Sequence, residues 1–129
     1  MALYGLYQHL IDLTVKNDCC CCSCISAVSA SGFIARGITF ENTAGPAARQ
    51  AVALRINGDQ AALQSCSIVG YQDSLYTHSL RQFYKDTYIT GTVDFVFGNS
   101  AAVFQNCQLV VRAGAPGATT STLTAQVRN

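Results

Sequence analysis

The chain has 129 residues, room for one domain at most. Half of the residues are hydrophobic, only 12% are charged, and the formal net charge is +1, which gives no basis for a nucleic-acid partner or an anionic membrane surface. No apolar run approaches the length needed to cross a bilayer.

The opening stretch MALYGLYQHLIDLTVKND carries Asp12 and lacks the basic segment and apolar core of a signal peptide. A secreted form therefore needs a leader that this stretch does not supply. Five of the seven cysteines fall in Cys19–Cys24, with C-x-x-C spacings at Cys19/Cys22 and Cys21/Cys24. A zinc site generally wants a second ligand pair at a distance, and the later cysteines, Cys66 and Cys107, lie inside strand-like runs. Residues 1–31 read as a poorly specified N-terminal segment, a lipid-attachment site or mis-joined coding sequence rather than a metal site. Composition changes at Ser29–Gly32, which sets the expected boundary of a domain over 32–129.

From Gly32 the text becomes regular. Gly32–Asn42 reads as a strand, and Thr43–Arg49, with Gly45-Pro46, as a loop. Gln50–Ile56 alternates, Ala51, Ala53 and Arg55 on one side and Val52, Leu54 and Ile56 on the other. Asn57-Gly58-Asp59 reads as a turn. Three similar lines follow: Ala62–Tyr71, Phe83–Thr92 and Val103–Arg112. Cys66, Thr87 and Cys107 align, as do Ile68, Ile89 and Leu109, in steps of 21 and then 20 residues (66 to 87, 87 to 107). Ile38 and Phe40 join the two columns after a longer loop. One short strand per step of about 20 residues marks a parallel β-solenoid, whose coils bury their apolar sides only by stacking. An antiparallel sandwich wants hairpin turns, and Asn57-Gly58 is the only such pair. A doubly wound α/β fold wants amphipathic helices, and none is apparent.

The repeat organises the acids. Asp73 lies five residues past Ile68, and Asp94 five past Ile89. On successive coils they share one position, roughly 4.8 Å apart along the stack. The competing reading, that each acid caps a turn or pairs with Arg81 or Lys85, leaves that coincidence unexplained. Two carboxylates so close do not both ionise freely, so one should have a raised pKa. A proton donor beside a nucleophile suits an ester or a glycosidic bond. The neutral amides of Gln50 and Gln72 favour the ester, because a developing oxyanion needs such donors. No G-x-S-x-G elbow or recognisable Ser/His pairing points to serine hydrolase chemistry. His78 reads as a surface residue. No Ca²⁺-type loop is visible, and neither a metal nor a cofactor is expected.

Gly32–Pro46, Gln50–Arg55, Gly70–Tyr84 (GYQDSLYTHSLRQFY), Gly91–Asn99 (GTVDFVFGN) and Val103–Cys107 (VFQNC) closely resemble the signature segments of plant-type pectinesterases, the pectin methylesterases, in that family's order. The resemblance runs from Gly32 to Asn129. It implies an all-β, right-handed parallel β-helix, here truncated at both ends. It implies that Asp94 attacks the methyl ester of a galacturonate unit and that Asp73 acts as acid and then base. Gln50 and Gln72 would stabilise the charged intermediate, with Tyr71, Tyr76 and Phe97 either walls of the sugar cleft or core side chains. Methylated homogalacturonan would be the substrate, the extracellular cell wall the location, and a proteinaceous inhibitor a second partner that the resemblance allows.

Departures from the family pattern accompany the likeness. The Gly-Arg-Pro-Trp segment that brings the family's orienting Arg and a sugar-contacting Trp has no counterpart before Asn129, nor has the Gly-x-Tyr-x-Glu region in residues 1–31. Thr87 replaces the usual partner of Cys66, the partner of Cys107 lies beyond Asn129, and Ser74 stands where Thr is usual. Two functions are thus open: an esterase with its acid pair and glutamines intact, or an impaired family fragment that at most binds polygalacturonate. On these grounds the isolated chain is expected to turn over very slowly and to be marginally stable or prone to aggregation.

Overall fold

The computed structural model describes residues 14–17 and 26–126, short strands joined by turns, bends and loops. After β1 (Thr14–Asn17) and β2 (Ser26–Val28), each coil contributes three strands. They are β3 (Ile34–Arg36), β4 (Thr39–Asn42) and β5 (Leu54–Ile56) in one coil, then β6 (Ala61–Gln64), β7 (Ser67–Val69) and β8 (Leu75–Thr77) in the next. The last two coils hold β9 (Arg81–Lys85), β10 (Tyr88–Gly91) and β11 (Val96–Gly98), then β12 (Ala101–Gln105), β13 (Gln108–Val111) and β14 (Thr124–Gln126). Strands of one kind stack in three parallel sheets, β1-β4-β7-β10-β13, β14-β11-β8-β5-β2 and β12-β9-β6-β3. The fold is a parallel β-helix.

The columns expected from the repeat are the register of the first sheet. Phe40 pairs with Ile68, Ile68 with Ile89, and Ile89 with Leu109. Cys66 and Thr87 are buried beside them, and no disulfide joins Cys66 to Cys107. The coil differs from the expectation in its strand count, three in place of one. Each run that reads as a single strand breaks at a corner residue with positive φ: Gly37 at 66°, Ser65 at 52°, Asp86 at 49° and Asn106 at 53°. Small polar side chains tolerate this left-handed conformation best after glycine. Asn106 Nδ2 donates to Asp86 Oδ1 at 2.6 Å, tying two such corners together.

Two strands, β1 and β2, lie before the boundary expected at Gly32, and they pair in register with β4 and β5. Both are too short to show a column in the sequence. The cysteine cluster Cys19–Cys24 falls outside the described residues. The loop after β4 contains one 3-10 turn, Pro46–Ala48. The alternation expected over Gln50–Ile56 holds only from Leu54 onward. Ala51 and Ala53 are buried although Arg55 is not, because the Ser74 carbonyl accepts from both Ala53 N and Leu54 N, at 2.8 and 3.2 Å, and resets the phase of the chain.

Candidate active site

Between the first and second sheets the chain turns most tightly at Gly70–Ser74 and again, one coil on, at Gly91–Phe95. The flanking coils make the same passage with longer loops, 43–53 and 112–123. The acids sit at the two tight corners. Asp73 has φ 62° and Asp94 φ 49°, the same left-handed kink twice. Asp73 N donates to Val93 O at 3.1 Å, Thr92 N to Tyr71 O at 2.9 Å, and Leu75 N to Phe95 O at 2.8 Å. These bonds lock corner to corner and continue into the β8–β11 register, where Leu75 pairs with Val96. Asp73 and Asp94 thus occupy matching places on successive coils, as the spacing predicts. Arg81 is bound to Asp59 instead, through a paired guanidinium–carboxylate contact, so it does not neutralise either acid.

Two features hold the corner in shape. Ser74 is fully buried beneath Asp73, and its hydroxyl donates to Thr90 O at 2.9 Å and Tyr71 O at 3.1 Å. Gly91 leaves no space: a Cβ there would stand 2.5 Å from Tyr71 O and closer still to the Cβ of buried Phe95. The absence of a side chain at Gly91 lets the two acid-bearing turns approach.

Burial and a neighbouring charge both act on Asp73. Asp73 is half-buried, and desolvation, with the charge of Asp94 as the second cause, lifts its pKa from 3.8 to about 6. A carboxyl in that range exists in both protonation states near neutrality, which is what an acid that must later serve as base requires. Gln50 and Gln72 form a parallel β-bridge, and Ala51 N donates to Gln72 O at 3.1 Å. The two glutamines are therefore neighbours on adjacent coils, immediately before the corner that carries Asp73.

Tyr76 and Phe97 stand in the outward row of the second sheet, paired in register. Their rings stack at 4.5 Å with planes 10° apart. His78 meets Tyr76 edge-on at 4.9 Å and joins it in a groove of about 400 Å³ that also takes in Phe97 and Asn99. Tyr71 carries a cation on its ring. The guanidinium of Arg112 lies 4.0 Å from its ring centroid and donates to Tyr71 Oη at 3.0 Å and Gly70 O at 3.1 Å. A larger hollow of about 730 Å³, lined by Val96, Ala102, Phe104 and Leu109 among others, is the interior of the last coil and not part of the acid face.

The model of the pectinesterase family matches residues 13–129. The chain belongs to the pectinesterase family. It is 61% identical over 103 residues to pectinesterase/pectinesterase inhibitor 18 of Arabidopsis thaliana, covering 79% of this chain and 18% of that protein. Its fold superposes on the pectin methylesterase from carrot with a TM-score of 0.74 and 53% identity, over 78% of this chain and 31% of the carrot enzyme. A second pectin methylesterase, solved in complex with a hexasaccharide, matches with a TM-score of 0.73 and 40% identity, over 81% and 36% of the two chains. The chain spans about a fifth of the length of the curated relatives it matches.

Sequence reasoning passed over three residues at this pectinesterase corner: Ser74 as a brace, Arg112 as a clamp and Arg55 beside the aromatic row. A signal existed for the last. Arg55, Tyr76 and Phe97 follow one another at steps of 21 residues (55 to 76, 76 to 97), the same period that aligns the acids. Arg112 reaches back two coils to Tyr71, a contact that no local pattern announces.

Proposed function

We propose that this chain carries the catalytic corner of a carboxylic ester hydrolase that demethylates methyl-esterified galacturonan. The observation that supports it most directly is the pairing of two acids at matching corners of successive coils, Asp73 with its pKa raised to about 6, with Gln50 and Gln72 bridged next to them. In this reading the carboxylate of Asp94 attacks the carbonyl carbon of the methyl ester. The oxyanion that forms accepts hydrogen bonds from the Gln50 and Gln72 amides. Protonated Asp73 gives its proton to the departing methoxide, and methanol leaves an acyl–Asp94 anhydride. Asp73, now ionised, takes a proton from water as that water attacks the acyl carbon. The bond to Asp94 breaks, a free galacturonate carboxyl is released, and both acids return to their starting states. Tyr76 and Phe97 offer an apolar stack beside which a sugar ring can lie.

The substrate places the protein's work in the extracellular cell wall, in cell wall modification and pectin catabolism. Relatives carry a pectinesterase inhibitor in their names, and a proteinaceous inhibitor is a partner that would compete for this face. Methanol release from methylated pectin, compared with an Asp94→Asn control, tests the reading. Release above the control supports it. Pectin binding with no release above the control would overturn it in favour of a galacturonan-binding segment without turnover.

A further inference from the structure

Arg112 belongs to the coil after the two acid-bearing corners. It follows β13 directly, where the long loop 112–123 begins. Its backbone N donates to Gly91 O at 2.9 Å, which fixes its place one coil past the Asp94 corner. The side chain then runs back across a further coil. Its guanidinium donates to Gly70 O at 3.1 Å and to Tyr71 Oη at 3.0 Å, and lies 4.0 Å from the Tyr71 ring centroid. A planar fork meets a carbonyl, a hydroxyl and a ring face together, which a compact ammonium does not.

What the guanidinium grips is one residue short of the chemistry. Gly70 and Tyr71 lead straight into Gln72 and Asp73. The other bonds at this corner come from the neighbouring coils or from Ser74 beneath it: Thr92 N to Tyr71 O, Asp73 N to Val93 O, Ala51 N to Gln72 O, and the Ser74 hydroxyl to Tyr71 O. Arg112 adds a hold from two coils away and takes the Tyr71 side chain as its handle. It makes no ion pair among the described residues, where Arg81–Asp59 is the one recorded. Nor does its charge act on the acid, since burial and Asp94 are what raise the Asp73 carboxyl. Its cation is therefore engaged wholly with neutral groups of the corner.

We propose that Arg112 is a positioning residue for turnover: by holding Gly70 and Tyr71 from the coil beyond, it sets where Gln72 and Asp73 stand against Asp94. The roles of Gln72 and Asp73 rest on the esterase reading above. The clamp also joins the root of loop 112–123 to the acid corner, so that the two move as one unit.

Arg112→Met, Arg112→Lys and Tyr71→Phe test this in the full chain, with two readouts: the titration of Asp73 by carboxyl NMR, and kcat and KM for methanol release from methylated pectin. A clamp and a bare charge predict opposite signs. Removing a nearby cation raises a carboxyl pKa, whereas a released corner gives Asp73 to solvent and parts it from Asp94. In Arg112→Met the Asp73 pKa should therefore fall from about 6 toward 3.8. In that variant kcat should drop on the order of tenfold to a hundredfold, with KM within about twofold because the clamp acts on the corner and not on bound sugar. Arg112→Lys, which keeps the charge and loses the fork, should fall between Met and parent. Tyr71→Phe keeps the ring and the Gly70 bond and should be the mildest; these two carry the test if Arg112→Met does not fold. An Asp73 titration that stays in place or moves upward in the variants would overturn the proposal. So would an unchanged kcat per folded molecule, the result of a purely structural role. A falling Asp73 pKa with no methanol released even by the parent would leave the clamp standing and sink the esterase reading instead.

Discussion

Replacing Asp73 by Asn should stabilise the protein at neutral pH and leave it nearly unchanged at pH 4. In the folded chain the Asp73 carboxyl has a pKa of about 6, against 3.8 without the fold. A group whose pKa is raised on folding favours the folded state fully below its unfolded value and loses that contribution as pH rises through the folded one. The window is therefore pH 4 to 6. At about 1.4 kcal/mol per unit, the full shift corresponds to about 3 kcal/mol, which solvent contact at this half-buried site reduces to about 1–2 kcal/mol. Asn keeps the size of the side chain and removes the charge. The stability difference between variant and parent should thus grow by about 1–2 kcal/mol between pH 4 and pH 7, read from urea midpoints at constant slope. Asp59, held near a pKa of about 2 by Arg81, titrates below this window in the fold and is common to both proteins, so it cancels. A difference that stays flat from pH 4 to 7, or an Asn variant less stable at pH 7, would refute the claim that burial and Asp94 press on Asp73.

Gly91→Ala should cost about 2–4 kcal/mol in the same assay, because the added Cβ meets the Tyr71 carbonyl and buried Phe95; a cost under 1 kcal/mol would mean that the corners are not closely packed. The same substitution should lower the Asp73 pKa by parting the two acids, a change readable by carboxyl NMR titration. Arg112→Met should cost about 1–2 kcal/mol through its lost bonds to Gly70 and Tyr71. In a double-mutant cycle with Tyr71→Phe, a coupling near zero would show that the clamp contributes nothing through the hydroxyl. Ser74→Ala removes the hydroxyl's bonds to the Thr90 and Tyr71 carbonyls beneath the acid corner, which keep their backbone donors Gly70 N and Thr92 N, and should both destabilise by about 0.5–1.5 kcal/mol and reduce methanol release where Ser74→Thr preserves it.

What the sequence revealed of the fold was its period. Phe40, Ile68, Ile89 and Leu109 read as a column because each must meet the same kind of neighbour above and below, and the structure pairs them in that order. What it concealed was the corners. Ser65, Asp86 and Asn106 each bend the chain sharply, yet such residues punctuate strands and loops alike, and a run such as Phe83–Thr92 reads as one extended piece. Three-sided coils hide in sequence for this reason. The buried positions slip by a single residue at each corner, from Leu63 to Cys66 and from Tyr84 to Thr87, too little to break the run in sequence, and a left-handed residue type between strands is the other mark of the bend. The same limit explains Gln50–Ile56, where one carbonyl, that of Ser74, shifts the phase of the alternation.

The site was legible in proportion to how strictly it obeys the period. Asp73 and Asp94 keep the offset of their coils, and the corner hydrogen bonds preserve that offset in space. Gln50 breaks the step, since a longer loop precedes it, yet it is bridged to Gln72, because the loop returns to register just before the corner. Arg55 keeps the step and was still passed over, since a charged residue in an outward row ordinarily needs no explanation. The structure places its guanidinium over Tyr76 and leaves its Nε without a hydrogen-bond partner among the described residues. A repeating scaffold of this kind makes a binding row as readily as it makes a core, because any residue type placed once per coil on the outer face becomes a ladder. The acids, the stacked rings and Arg55 are successive uses of that one geometric rule.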